Sequence, residues 1–238
     1  MIYALDAPLG LEFKAATTTI PIVTMSVDPV ALGLVSNIAR PGGNLTGTAI
    51  DAGLQIWGKR IGILKEAVPK LSNVCMLAYP RKIWEGPVGS AIRLAAERQG
   101  IALNAVTFDG KTDAADYQRV FAAFEQDRPD ALFVSEDTVH LINGATIYEL
   151  AAKHRLPAMY SYREAVEGGG LMSYSVDLEE LGRLSGYQIG QVLNGTNPGD
   201  IPYNQVTRYD LALNLKTAKS LGLEFPATLL GSANVVIE

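Results

Sequence analysis

The sequence has a single cysteine, two histidines and no run of about 18 apolar residues. Nothing in it is therefore long and apolar enough to cross a bilayer as a helix. With Cys75 alone there is no intramolecular disulfide and no cysteine-built metal cage. Inside Asn73-Val74-Cys75-Met76-Leu77 it reads as a small core residue rather than a reactive thiol. The lack of disulfides neither requires nor excludes an oxidising compartment. Basic clusters are missing too: 20 Lys and Arg stand against 25 Asp and Glu, a formal charge of −5. That argues against nucleic-acid or anionic-membrane binding, because a phosphate lattice recruits clustered cations. His-x-x-x-His, Gly-x-Ser-x-Gly and the Walker loop are all absent. His140 and His154 fall in helical patterns with no nucleophile beside them in sequence, so no catalytic set, cofactor or metal is expected. Residues 1–5 lack a basic segment leading into a long apolar stretch, so they are no secretory signal. Either the chain is cytosolic or the sequence begins downstream of the natural start.

What is present is a globular composition, 48% hydrophobic and 19% charged. Apolar runs alternate with helical patterns, the signature of parallel sheets with crossover helices. Strands are expected at 20–25, 44–50, 74–79, 101–108, 131–134, 157–160, 171–175 and 209–214. Helices are expected at 29–39, 54–67, 88–99, 114–126, 142–153, 178–193 and 216–221. Residues 227–237 are apolar enough to dock. The Gly/Pro cluster at 195–202 marks a connection between packed units. The expected division is a partial N-terminal lobe, residues 1–51 with 200–238, and a C-terminal lobe, residues 52–199, doubly wound. The short N-terminal portion is expected to leave the strand at 20–25 partly uncovered, which invites a homodimer that completes the lobe.

Open parallel sheets bind ligands at the C-terminal ends of their strands. The residues there are Ser26 and Asp28; Tyr79 and Arg81; Ser135, Glu136 and Asp137; Tyr160, Ser161 and Tyr162; and Ser173. Carboxylates suit an ammonium, Arg81 or Arg163 suits a carboxylate, and Tyr or Trp suits an apolar body. Each also has a plainer reading. Asp28 precedes Pro29 and is suited to cap a helix. Glu136-Asp137-Thr138 is suited to the same task, Tyr162-Arg163 to the surface, and Trp57 to the core. Gly168-Gly169-Gly170 precedes a strand, so it is a tight turn rather than a phosphate cradle.

Several segments carry a family resemblance, in order. They are Ile20-Pro21-Ile22-Val23 with Asp28-Pro29-Val30, then Ala39-Arg40-Pro41-Gly42-Gly43-Asn44-Leu45-Thr46-Gly47, then Lys59-Arg60. Further on come His154-Arg155-Leu156-Pro157-Ala158, Glu167-Gly168-Gly169-Gly170-Leu171-Met172-Ser173-Tyr174 and Asn214-Leu215-Lys216-Thr217-Ala218-Lys219. Together they resemble the ABC transporter substrate-binding proteins of type I periplasmic fold, in particular those that bind tryptophan or other aromatic amino acids. The resemblance implies a two-lobe α/β fold and capture of a small amino-acid-like or aromatic solute between lobes by hinge closure. It implies delivery to a membrane permease and a periplasmic location. It adds weight to Asp28, Ser135, Asp137, Ser161 and Tyr162 as solute contacts. It also implies that a signal and two leading βα units are missing here. A ligand-sensing effector domain of a regulator, and an enzyme on a similar sheet, remain the alternatives.

Overall fold

Local signals place most elements where they form. In the computed structural model, residues 1–50, 55–206 and 208–238 are described. The chain starts with β1 (Ile2–Ala4), α1 (Ala7–Ala16), β2 (Ile22–Ser26), β3 (Leu45–Ala49) and α2 (Gln55–Ala67). Next come β4 (Asn73–Ala78), α3 (Arg81–Glu85), α4 (Pro87–Glu97), β5 (Ala102–Thr107), α5 (Ala114–Ala123) and β6 (Ala131–Val134). These are followed by α6 (Thr138–Ile142), α7 (Gly144–Lys153), β7 (Ala158–Tyr160), α8 (Arg163–Glu167), β8 (Met172–Ser175) and α9 (Leu178–Leu193). The chain closes with β9 (Asn204–Gln205), β10 (Asp210–Asn214), α10 (Leu215–Leu221), α11 (Ala227–Ser232) and β11 (Val235–Ile237).

The elements sort into two units, Met1–Ile56 with Val176–Arg208, and Trp57–Ser175 with Tyr209–Glu238. In the first, β1-β2-β3-β9 form a four-stranded parallel sheet. β3 is buried throughout and β2 nearly so, as central parallel strands are. Gly47 sits where a Cβ would lie 1.9 Å from the Thr24 carbonyl oxygen, so this strand contact admits glycine alone. In the second unit the strand order is β11-β10-β8-β7-β6-β4-β5. Strands β4 to β8 are parallel, and β10 runs antiparallel to β8. Leu77, Leu132, Val134 and Tyr160 of its strands pack with Tyr117 and Phe121 of α5 and Ile147 of α7.

The expected division and the observed one differ chiefly from residue 176 onward. Residues 209–238 join the larger unit because β10 pairs with β8, and β11 with β10. Residues 176–208, carrying α9 and β9, belong with the N-terminal strands. The expected boundary at 51/52 and the expected helix start at Leu54 lie outside the described residues.

Two expectations are corrected. Residues 29–39 form turns, not a helix. The Pro29 carbonyl accepts from Leu34 N and Val35 N, Gly33 takes φ +71°, and the Asn37 side chain accepts from Ala39 N and Arg40 N. Those contacts bury Leu34 and Val35 in the first unit's core without a helical ladder. Nor is the strand at 20–25 uncovered: β1 pairs along one side of β2 and β3 along the other. The argument for a homodimer falls with it.

Caps fix the helix starts. Asp113 at the start of α5 accepts from Ala115 N and Asp116 N, while the Asp116 carboxylate accepts from Asp113 N. Asp113→Ala is expected to lower the unfolding free energy by about 1 kcal/mol in urea titrations.

Candidate functional site

Strands β4, β5, β6 and β7 end at one edge of the larger unit's sheet, where the tip residues gather. The centre is Glu136, 8% exposed, just past β6. Its Oε2 accepts from Arg60 Nη1 at 3.1 Å and from Ser161 Oγ at 3.1 Å. Ser161 Oγ also lies 2.8 Å from the Val134 carbonyl oxygen, and the Tyr162 hydroxyl donates to the Glu136 carbonyl at 3.2 Å. Glu136 Oε1 is buried with no hydrogen-bond partner among the described residues.

Arg60 comes to this edge from α2. Its side chain is 2% exposed, its Nε donates to the Tyr174 carbonyl at 2.8 Å, and its guanidinium carbon lies 5.1 Å from the centre of the Trp57 ring. Trp57 packs edge-on against Phe133, centroids 5.7 Å apart. This is the core role that its apolar neighbours suggested.

Next to Glu136, Ser135 Oγ donates to Asp137 Oδ2 at 2.6 Å. Asp137 stands at the start of α6, yet its side chain makes no capping bond there. Burial and the Glu136 charge push the Tyr162 phenol up, which keeps it protonated and a donor at neutral pH. A void of about 20 Å³ touches Ser135, His140, Tyr148, Tyr160, Ser161 and Tyr162, about room for one water.

The remaining residues spread out. Tyr160 stands in the core, its ring 5.1 Å from that of Tyr148. Ser173 is fully buried within β8. Tyr79 is partly buried against the same core as Tyr160, and Arg81 is exposed, paired with Asp109 at 3.2 Å. Ser26 and Asp28 belong to the other unit, at the end of β2. Ser26 Oγ lies 2.9 Å from the Tyr203 hydroxyl, and Asp28 Oδ1 accepts from Ala31 N at 2.9 Å, a capping geometry for a turn. Burial raises the Cys75 thiol to about 11, which leaves it inert at neutral pH. Among the described residues, no three His, Cys, Asp or Glu are placed to hold a metal.

The family model for ABC transporter substrate binding proteins matches residues 1–237. The chain belongs to that family. A curated relative, the "Tyrosine-binding protein" of Clostridioides difficile strain R20291, is 26% identical over 225 residues. The match takes in 94% of this chain and 63% of the relative, so the chain spans under two thirds of that protein. Among solved structures, a conserved domain protein from Vibrio cholerae superposes with a TM-score of 0.86 at 23% identity, over 99% of this chain and 78% of that one. An ABC domain from Streptococcus pneumoniae in complex with L-Trp gives 0.86 at 24%, over 100% and 78%. At those identities the likeness establishes the fold, the mixed α/β type with parallel sheets.

In this family member the sequence reading did not place Arg60 in the candidate site, where it bonds Glu136. A signal was there. Ile56, Arg60 and Leu64 follow at i, i+4 and i+8 on the buried face of α2, and a cation in an apolar stripe needs an anion opposite.

Proposed function

We propose that this chain is the solute-binding component of an ABC importer, working in the periplasm. It captures a small amino-acid-like or aromatic solute by hinge closure and hands it to the permease unchanged. The observation that carries this reading is the convergence of Glu136, Ser161, Tyr162, Ser135 and Asp137 at the strand tips of the larger unit. Carboxylates and hydroxyls of this kind suit the ammonium of an amino acid, and a phenol suits its apolar or aromatic body. A charge-assisted hydrogen bond contributes roughly 1.5–3 kcal/mol, so a few such contacts reach the ~8 kcal/mol of micromolar binding. The family match and the relative named for tyrosine support the same solute class.

Binding without chemistry fits the best-placed histidine. His140 Nδ1 lies 2.7 Å from the Tyr117 hydroxyl, but both side chains are buried. Burial depresses the imidazole and raises the phenol, so neither exchanges protons near neutral pH. Calorimetry against the twenty amino acids and the common aromatic acids is expected to give at least one dissociation constant in the micromolar range or below. A folded protein that yields no heat with any of them would sink the proposal.

A further inference from the structure

The restraints on Glu136 are lopsided. Arg60 Nη1 and Ser161 Oγ both bond Oε2, and Tyr162 bonds the backbone carbonyl. Oε1 has no donor among the described residues although the residue is more than nine-tenths buried. A buried carboxylate oxygen left without a donor is unfavourable, and native structures rarely leave one. The arrangement therefore points to a donor that comes from outside the protein.

Arg60 has more contacts than a neutralising charge needs. Its Nε is tied to the Tyr174 carbonyl, its face lies over Trp57, and Nη1 reaches Glu136. A planar guanidinium held on three sides fixes the plane of the carboxylate that it bonds. Rotation of the carboxylate, which would bring Oε1 to a protein donor, is thereby blocked.

We infer that Arg60 is a positioning residue for solute recognition: it locks Glu136 through Oε2 so that Oε1 remains to accept an ammonium N–H of the solute. This rests on the amino-acid reading above and specifies which atom of the site discriminates. It makes the site selective for an amino acid over the same molecule without its amino group. Further titratable groups in this cluster are Asp137 on the same loop, Tyr162 past β7 and Glu164, which acts on the Tyr162 phenol. None bonds Oε1.

The test is a selectivity ratio, measured by calorimetry on the full chain. The probes are L-tyrosine against 3-(4-hydroxyphenyl)propionate and L-tryptophan against 3-indolepropionate. Wild type is expected to prefer an amino acid by about 100-fold, the range for a site whose buried acceptor goes unpaired with the analogue. Arg60→Gln is expected to reduce that ratio below about 5-fold, and Arg60→Lys to restore part of it. A purely structural role would weaken both members of a pair alike and leave the ratio intact. The double variant Arg60→Gln/Glu136→Gln strands no charge, so it keeps the test open if the single variant folds poorly, and its ratio is expected to be equally low. Wild type that binds neither amino acids nor analogues overturns the functional reading and this inference with it. Wild type that binds the analogue as tightly as the amino acid overturns the inference alone, as does a folded Arg60 variant with the wild-type ratio.

Discussion

Arg60→Met is expected to lower the unfolding free energy by about 3–5 kcal/mol, because it leaves the Glu136 carboxylate buried opposite an apolar side chain. A surface ion pair has no comparable effect. Arg81–Asp109, with both side chains more than half exposed, contributes at most about 1 kcal/mol and less in salt. The difference comes from solvent. Water replaces a lost partner at Asp109, whereas among the described residues Glu136 keeps only the Ser161 hydroxyl on its carboxylate. The Tyr174 carbonyl loses the Arg60 Nε donor in the same substitution. Urea titration with coincident probes measures the loss, and a decrease below about 1 kcal/mol would mean that the pair is not desolvated as described.

The double variant Arg60→Met/Glu136→Leu separates pairing from packing. Replacing both charges by apolar side chains of similar size is expected to recover at least half of the loss. Ser161 retains the Val134 carbonyl as acceptor, and Tyr162 retains the Glu136 backbone oxygen, which the substitution leaves in place. Stability recovered together with lost amino-acid selectivity would mean that the ion pair serves recognition at the expense of stability. A buried charge in a binding site has that signature.

What could be read from the sequence follows the range of the interactions involved. β6 and α9 form at 131–134 and 178–193, as expected, since a short apolar run and an Asp177 cap with an Asn194-Gly195 stop are local signals. α1 went unread although Asp6 caps it, because it buries only Ala7 and Gly10 and so presents no apolar stripe. The turns at 29–39 combine local contacts of Pro29, Gly33 and Asn37 with tertiary burial of Leu34 and Val35, which the helical pattern did not show. The choice of β8 as partner for β10 is also non-local: an apolar run predicts a strand but not its neighbour. The strand-tip rule named Ser135, Glu136, Asp137, Ser161 and Tyr162, residues that the structure brings together at one sheet edge. It could not find Arg60, which comes from a helix 76 residues away in sequence from Glu136.

The second large effect is on the acid side of neutrality, and it centres on His140. The imidazole is 3% exposed, bonded to the Tyr117 hydroxyl, and packed edge-on against Phe108 at 5.6 Å. Burial lowers it from 6.5 to about 3, and the Leu77 carbonyl, which favours the charged form, offsets only part of that. A histidine depressed in the folded state stays neutral there while the unfolded chain takes up a proton. Stability therefore falls as pH drops below about 6.5 and goes on falling until about 3, whereas above 6.5 the group contributes nothing. The groups that face it are the phenols of Tyr117, Tyr148, Tyr160 and Tyr162 and the Ser135 hydroxyl around the shared void, with Asp137 one turn earlier on its own segment. All four phenols are raised by burial and stay neutral across the window. Asp130 is lowered too, from its ordinary 3.8. Its slight burial would raise it, but hydrogen bonds from Asn73 N, Ser72 N and Ser72 Oγ together bring it below 3.8, so the stability it gives is lost only in stronger acid. Between pH 7 and pH 5, wild type is expected to lose about 2 kcal/mol more than His140→Gln, which keeps an acceptor for Tyr117 but binds no proton. Parallel slopes for the two proteins over that interval would show that the imidazole is solvated, and that α6, which begins directly after Asp137, is not anchored through it.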